Sequence, residues 1–183
     1  FAVVTGSVLT CGYVPLVDAA PLLIAQELGF AADEGLTLDL VRQPSWSALR
    51  DMLAFGHLDA AHMLSPMPVA MALGIGGPSA EIDVLSVLSV NGTVFGVSLD
   101  LAARLGPLPF GDAEALLAAL AHQKVRIGVP FHASMHRLLL SYWLSSRPDL
   151  SVEIITIPPP RMADAITQGQ IDAFWVGEPW GSV

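Results

Sequence analysis

The sequence predicts an α/β fold made of two similar lobes in which mainly parallel strands alternate with helices. Two observations indicate this. Short β-branched or apolar runs alternate with helical patterns along the 183 residues, as is typical of parallel sheets covered by helices. One helix–glycine–strand segment also occurs twice, because residues 55–61 recur as residues 168–174. A chain of this length accommodates two small lobes as readily as one domain.

In the first half of the chain, proline and glycine mark the helix ends. Pro21 suits a first helical turn, and Gly29, Gly56 and Gly74 each follow a helical pattern, the usual places for these two residue types. The predicted strands are residues 8–14, 36–42, 58–64 and 82–90. The predicted helices are residues 21–29, 47–55 and 67–73.

The second half of the chain repeats this alternation. Its predicted strands are residues 94–99, 126–129, 152–157 and 171–176. Its predicted helices are residues 113–122, 134–144 and 161–168. Residues 101–111 contain two prolines and two glycines, and this composition predicts an exposed loop.

The repeated segment links two positions that are far apart in the chain. After its strand, each copy has a polar residue and then a proline, Ser65 before Pro66 and Glu178 before Pro179. Such a segment also arises by chance, but two similar lobes would place Ser65 and Glu178 at equivalent carboxyl edges, where open α/β sheets bind ligands. We therefore predict one lobe over residues 1–91 and a second over 92–183. Asn91-Gly92 is then either a hairpin turn or the crossover between the lobes.

Composition excludes several classes of protein. Hydrophobic residues make up 53% of the chain and charged residues 14%, which excludes disorder. The apolar stretches are interrupted well before the ~20 residues that a bilayer span needs. The net charge is −9, with Lys124 as the single lysine and no basic cluster, so nucleic acid is not an expected partner.

The sequence offers no enzyme motif and no expected cofactor or metal. It contains no phosphate loop, no nucleophile elbow and no HExxH. Cys11 is the single cysteine, which excludes an intrachain disulfide and a cysteine zinc site. No signal peptide is visible in residues 1–9, as is expected both of a mature exported protein and of a cytoplasmic one.

Three residues suggest a binding site, and each also has a purely structural interpretation. His136 lies in the first turns of a predicted helix, where the helix dipole and free N–H groups favour an anion; it is equally interpretable as a capping or core histidine. Trp46 either fastens a helix entrance to the core or forms an apolar wall with one N–H donor. Glu178 is either a surface charge or a group that orients a cation.

Motifs along almost the whole chain resemble the nitrate- and bicarbonate-binding proteins of ABC importers and their cytoplasmic nitrate-sensing relatives. The resemblance rests on motifs that occur in the same order. They are GYVPLVDAAPL at 12–22, PSWSALRD at 44–51, LDAAHMLSPMP at 58–68, YWL at 142–144, PPPRM at 158–162 and VGEPW at 176–180.

The resemblance implies a type II periplasmic-binding-protein fold that closes on a small anion by hinge motion. It implies nitrate as the ligand, with nitrite or bicarbonate as alternatives, and the membrane subunits of an ABC transporter as partners. A periplasmic location is then expected. A cytoplasmic sensor that controls a regulatory partner is the alternative. The implied ligand-binding residues are Trp46, Ser47, Ser65, Thr93, His136, Gly177 and Glu178.

The sequence departs from the family pattern in two places that affect the site. Nitrate binders commonly carry an amide after Asn-Gly, whereas this chain has the shorter Thr93. The lysine that pairs with the anion in the family belongs to a segment that would follow Val183, so we expect the chain to lack the usual C-terminal return segment. An enzyme built on the same two lobes would need His or Cys grouped near a lysine, and no such group is apparent.

Overall fold

The computed structural model describes residues 7–90, 92–107, 111–121 and 123–182. The chain divides into two compact units, Phe1–Gly92 and Thr93–Val183, which we call unit 1 and unit 2. The division falls one residue after the predicted boundary at residue 91, and Asn91 itself lies outside the described residues. Each unit contains its own sheet and its own helices.

Unit 1 is built around a three-stranded parallel sheet with the order β2-β1-β3. Its strands are β1 (Ser7–Tyr13), β2 (Leu36–Arg42) and β3 (Ala60–Ala61). Its helices are α1 (Ala20–Glu27), α2 (Phe30–Asp33), α3 (Trp46–Ala54) and α4 (Met67–Ala72). A 3₁₀ turn, Val17–Ala19, precedes α1.

Unit 2 is built around a four-stranded sheet with the order β4-β7-β5-β6, in which only β4 runs antiparallel to its neighbour. Its strands are β4 (Thr93–Val97), β5 (Lys124–Val129), β6 (Ser151–Thr156) and β7 (Ala173–Gly177). Its helices are α5 (Leu99–Leu105), α6 (Ala113–Leu120), α7 (Met135–Ser145) and α8 (Met162–Thr167). A 3₁₀ turn, Pro159–Arg161, precedes α8.

The side chains of β7 alternate between two apolar clusters. Ala173 and Trp175 belong to a cluster that includes Leu140 of α7, whereas Phe174 and Val176 pack with the buried Met162 of α8. A period of two is what a strand covered on both faces requires. This alternation directs Trp175 to the face of the sheet on which α7 packs.

The repeated segment has the same hydrogen bonds in both units. The Asp59 N–H donates to the Thr10 carbonyl and its carboxylate accepts from the Thr10 N–H at 2.9 Å. Asp172 exchanges the same two bonds with Arg126, each at 2.8 Å. Gly56 and Gly169 end the preceding helices with φ near +70°, a conformation that glycine adopts without strain. The repeated segment therefore corresponds to two copies of one local fold.

Three predicted elements differ from the structure. The strand predicted over residues 58–64 is reduced to Ala60–Ala61, because β3 pairs with β1 over two residues and has no second neighbour among the described strands. Residues 82–90 form no strand, although six of the nine are apolar; Val84, Leu85, Val87 and Val90 are 66–89% exposed. An apolar run alone does not form a strand without a neighbour to receive its hydrogen bonds.

The loop predicted over residues 101–111 is wrong over its first part, because Leu99–Leu105 is helix α5. The Ser98 hydroxyl caps this helix by accepting from the Leu101 N–H at 3.1 Å, and the Leu101 side chain is buried in the core of unit 2. Gly106 ends the helix at φ +71°. Residues 108–110 lie outside the described residues.

Candidate functional site

Trp46 is placed by the start of α3 in unit 1. Ser45 caps the helix through a hydroxyl that accepts from the Ala48 N–H at 3.2 Å, and Trp46 is the first helical residue. Its side chain is 1% exposed, and its indole Nε1 has no hydrogen-bond partner among the described residues. A buried donor without an acceptor is unfavourable by about 1–3 kcal/mol, so this position suits an external acceptor.

His62 lies beside Trp46 and was not among the residues that the sequence suggested. The two rings are 5.3 Å apart in an edge-to-face arrangement. The His62 side chain is 6% exposed, and its Nδ1 has no partner among the described residues. Burial lowers the pKa of His62 to about 4, so the imidazole is neutral at pH 7. His62 directly follows β3, and this position at the carboxyl end of a strand is the signal that could have identified it.

The two serines predicted in unit 1 are exposed. The Ser47 hydroxyl lies 3.0 Å from that of Ser45, whose oxygen already accepts a backbone N–H as the helix cap. Ser65 lies in the turn that precedes α4. Trp46 and His62 are therefore a buried pair of rings with unpartnered nitrogens, whereas the two serines face solvent.

In unit 2, the structure brings Thr93 and Gly177 together. Thr93 begins β4, Gly177 ends β7, and the two are paired in the antiparallel register. The Thr93 hydroxyl oxygen accepts a hydrogen bond from the indole Nε1 of Trp175 at 3.2 Å. Trp175 is a second residue that the sequence did not suggest, because a tryptophan in an apolar strand is typical of a core.

His136 occupies the first turn of α7, the eleven-residue helix of unit 2. Ser134 caps this helix by accepting from the Arg137 N–H at 3.1 Å, and its hydroxyl also donates to the Phe131 carbonyl at 2.7 Å. The His136 side chain is 5% exposed, and neither ring nitrogen has a partner among the described residues. Its ring stands edge-to-face with Trp175 at 6.5 Å.

The electrostatics of His136 favour a neutral donor. Burial lowers its pKa to about 4, so the imidazole carries one N–H and no charge at pH 7. The end of α7 at which it lies is the positive pole of the helix dipole. A small anion that reaches this point meets one ring donor and the free N–H end of a helix.

Glu178 follows Gly177 directly and is half-buried. Its Oε1 accepts a hydrogen bond from the Ser182 hydroxyl at 2.9 Å. The ion pairs of the described residues join arginines to Asp51, Asp149 and Asp172, and Glu178 is not among them. Within the same described part of the chain, no group of three or more His, Cys, Asp or Glu is placed to hold a metal ion.

A cavity of about 310 Å³ in unit 2 lies elsewhere. It is lined by residues of β6, of α8 and of the segments that flank α8, among them Arg161, Asp164 and Gln168. None of the predicted site residues lines it. The candidate site is therefore identified by buried polar atoms without partners rather than by this cavity.

These groups share one chemical property, which is that they donate hydrogen bonds without carrying a full charge. An indole N–H, a hydroxyl and neutral imidazoles can replace part of the hydration shell of a small anion. None of them forms the nucleophile–base–orienter arrangement that covalent catalysis requires. Within each unit, groups of this kind suit binding of an ion that accepts hydrogen bonds.

Comparison with known proteins relates the chain to transport systems. The sequence profile described as the NMT1-like family matches residues 6–183. Over 179 residues, the chain is 40% identical to a nitrate import ATP-binding protein, NrtC, from Synechocystis sp., covering 95% of this chain and 27% of that protein. Over the same length it is 39% identical to a bicarbonate transport ATP-binding protein, CmpC, from Synechococcus elongatus, again covering 95% and 27%.

One solved structure supports the same relationship at the level of the fold. The periplasmic nitrate-binding protein NrtA from Synechocystis superimposes with a TM-score of 0.85 at 30% sequence identity, covering 98% of this chain and 49% of NrtA. The chain thus spans about half of that structure and about a quarter of the two curated relatives. None of the helices within the described ranges has the length and apolar character needed to cross a bilayer.

Proposed function

The chain belongs to the NMT1-like family, and from that premise we propose that it is a solute-binding module that binds a small oxyanion, with nitrate as the favoured ligand. One observation supports the proposal above the others. Buried ring nitrogens of Trp46, His62 and His136 have no partner among the described residues. A protein retains such atoms where a ligand satisfies them.

The charge state of these groups supports an anion with delocalised charge. Both buried histidines are neutral at pH 7 because burial lowers their pKa values to about 4. Neutral donors satisfy a weakly hydrated ion without the cost of burying a second full charge. In this proposal, the indole N–H of Trp46 is a donor in unit 1, and His136 and the hydroxyl of Thr93 are donors in unit 2.

Bicarbonate is the second candidate ligand, and Glu178 is the observation that favours it. A half-buried carboxylate repels nitrate, but it can accept the proton of a bicarbonate hydroxyl or hold a cation beside the ion. CmpC, which is 39% identical to the chain, is a bicarbonate transport protein by name. Binding that requires Ca²⁺ and prefers bicarbonate would favour this alternative.

We propose that the module serves an ABC importer and binds its ligand in the periplasm, since NrtA is a periplasmic protein and NrtC an import component. A cytoplasmic sensor that acts on a regulatory partner is the alternative role. Fractionation of host cells, followed by detection of the natural protein, distinguishes the two locations.

Calorimetric titration tests the ligand. The natural protein is titrated with nitrate, nitrite, bicarbonate with and without Ca²⁺, and methanesulfonate. We expect nitrate to bind, and we expect Trp46→Phe to weaken nitrate binding about tenfold or more, because a hydrogen bond to a charged group contributes about 1.5–3 kcal/mol.

Trp143→Phe is the matched control, since Trp143 is a partly buried tryptophan of the unit 2 core. It should leave nitrate affinity within about twofold of wild type, because no donor of the proposed site is removed. Absence of binding by every anion in the wild-type protein would rule out the proposed function.

A further inference from the structure

We propose that Trp175 is a positioning residue whose indole N–H fixes the Thr93 hydroxyl as a hydrogen-bond donor to the bound anion. This inference rests on the proposed function and adds a specificity device to the same site. It concerns unit 2 alone, where both residues and their neighbours are described. The ligand class it implies is an oxyanion whose contacting oxygen carries no hydrogen.

The argument begins with the hydrogen bond between the two side chains. Trp175 Nε1 lies 3.2 Å from Thr93 Oγ1. An indole nitrogen can only donate, whereas a hydroxyl has one hydrogen and two acceptor positions. The bond therefore occupies one acceptor position of Thr93 and leaves the hydroxyl hydrogen to be donated elsewhere. No acceptor for that hydrogen appears among the hydrogen bonds of the described residues, and the side chain is exposed.

The indole is held in place by aromatic neighbours. Trp175 pairs with Phe95 in the β4–β7 register, and their rings meet at 90° with centroids 5.8 Å apart. On the α7 side, the indole meets the ring of His136 at 85° and 6.5 Å. Edge-to-face packing on two rings restricts rotation of the side chain, so the N–H is directed at Thr93 before a ligand arrives.

The hydrogen bond from Trp175 affects whether the Thr93 hydroxyl donates or accepts. An isolated hydroxyl accepts or donates according to its partner, so by itself it does not distinguish a bare oxygen from a protonated one. With one acceptor position filled by Trp175, the Thr93 hydroxyl keeps its hydrogen and one acceptor position, so donation to a bare oxygen is favoured over acceptance. Every oxygen of nitrate and nitrite fits this position, whereas bicarbonate fits it only through its two unprotonated oxygens.

Binding measurements on six variants test the inference. Trp175→Phe keeps an aromatic ring and removes the N–H, and we expect it to weaken nitrate binding about tenfold. Trp143→Phe is the matched control, because Trp143 also meets Phe95 edge-to-face, at 6.2 Å and 85°; its effect should stay below about twofold. In a Thr93→Val background, Trp175→Phe should have little further effect, whereas in a Thr93→Ser background it should act as in wild type.

Equal losses from Trp175→Phe with and without the Thr93 hydroxyl would show a purely structural role and would overturn the inference. So would nitrate affinity in Trp175→Phe equal to that of wild type. If the wild-type protein binds no anion, the proposed function fails, which is a separate outcome.

An NMR measurement covers the case in which Trp175→Phe does not fold. In ¹⁵N-tryptophan-labelled protein, saturating nitrate should shift the Trp175 indole proton downfield, since a hydroxyl that donates becomes a better acceptor. The shift should be absent in Thr93→Val. An indole resonance that nitrate leaves unchanged in the wild-type protein would contradict the inference.

Discussion

At the scale of single residues, two buried histidines connect binding to stability. His62 and His136 are 6% and 5% exposed, and desolvation lowers the pKa of each to about 4 from an ordinary value of 6.5. In the unfolded chain, both would take up a proton near pH 6.5, whereas in the folded protein they resist protonation until about pH 4. The unfolded state therefore binds more protons between these values, and stability decreases as pH falls through this window.

We expect the contribution of these two histidines to the free energy of unfolding to be fully present above pH 6.5. It should decrease as the pH falls toward 4, by about 3 kcal/mol for each histidine. Replacing His62 by Asn should remove about half of this pH dependence. The exposed His57 supplies the matched control His57→Gln, which replaces a solvent-exposed histidine and keeps both buried ones. Urea unfolding at several pH values measures these free energies. A slope that is the same in His62→Asn and wild type would contradict the burial of a neutral His62.

At the scale of elements, each copy of the repeated segment packs closely against a glycine of a neighbouring strand, Gly12 of β1 in unit 1 and Gly128 of β5 in unit 2. A Cβ added at Gly12 would lie 2.5 Å from Leu58 Cδ1. At Gly128 it would lie 2.8 Å from Met162 Sδ and 2.9 Å from Ile171 Cδ1. A methyl group at either glycine would therefore require these side-chain ends to shift in a packed core.

We therefore expect Gly128→Ala to destabilise the protein by about 1–3 kcal/mol through overpacking. Ile171→Val removes the Cδ1 methyl that the new Cβ meets, so the double variant should lose less stability than the sum of the two single variants. Urea unfolding at neutral pH measures the coupling. If the stability losses of the two single variants simply add in the double variant, the surrounding helix moves aside instead. The close contact between the new Cβ and Ile171 would then not determine the packing.

The same elements show how far the sequence predicts the structure. Strands β1 and β2 and helix α7 follow from local periodicity and capping residues such as Ser134, and their predicted bounds agree with the structure within about one residue. Residues 82–90 were predicted as a strand on the same grounds, yet they form none. Strand formation depends on a hydrogen-bonding neighbour elsewhere in the chain, which a local pattern does not contain.

Prediction of the site had a similar limit. Trp46, Thr93, His136 and Gly177 were suggested by motif resemblance, and within unit 2 the structure brings Thr93 to Gly177 in the β4–β7 register. His62 and Trp175 were missed because aromatic residues in apolar segments are typical of a core. The two occupy equivalent positions, 113 residues apart, directly after the two copies of the repeated segment. An alignment of the two copies, extended past their matching residues, could have identified both.

At the scale of the whole molecule, each unit carries unsatisfied donors of its own. Unit 1 contains Trp46 and His62, and unit 2 contains His136 with the Thr93–Trp175 pair. The net charge of −9 opposes long-range attraction of an anion, so affinity must come from short-range hydrogen bonds. The central claim is that these unpartnered donors bind an oxyanion.

A crystal structure of the natural protein grown with nitrate tests this claim most directly. We expect planar density that accepts a hydrogen bond from one or more of three groups, the Trp46 indole, a ring nitrogen of His136 and the Thr93 hydroxyl, at donor–acceptor distances of about 2.7–3.2 Å. Nitrate bound away from all three groups would contradict the account.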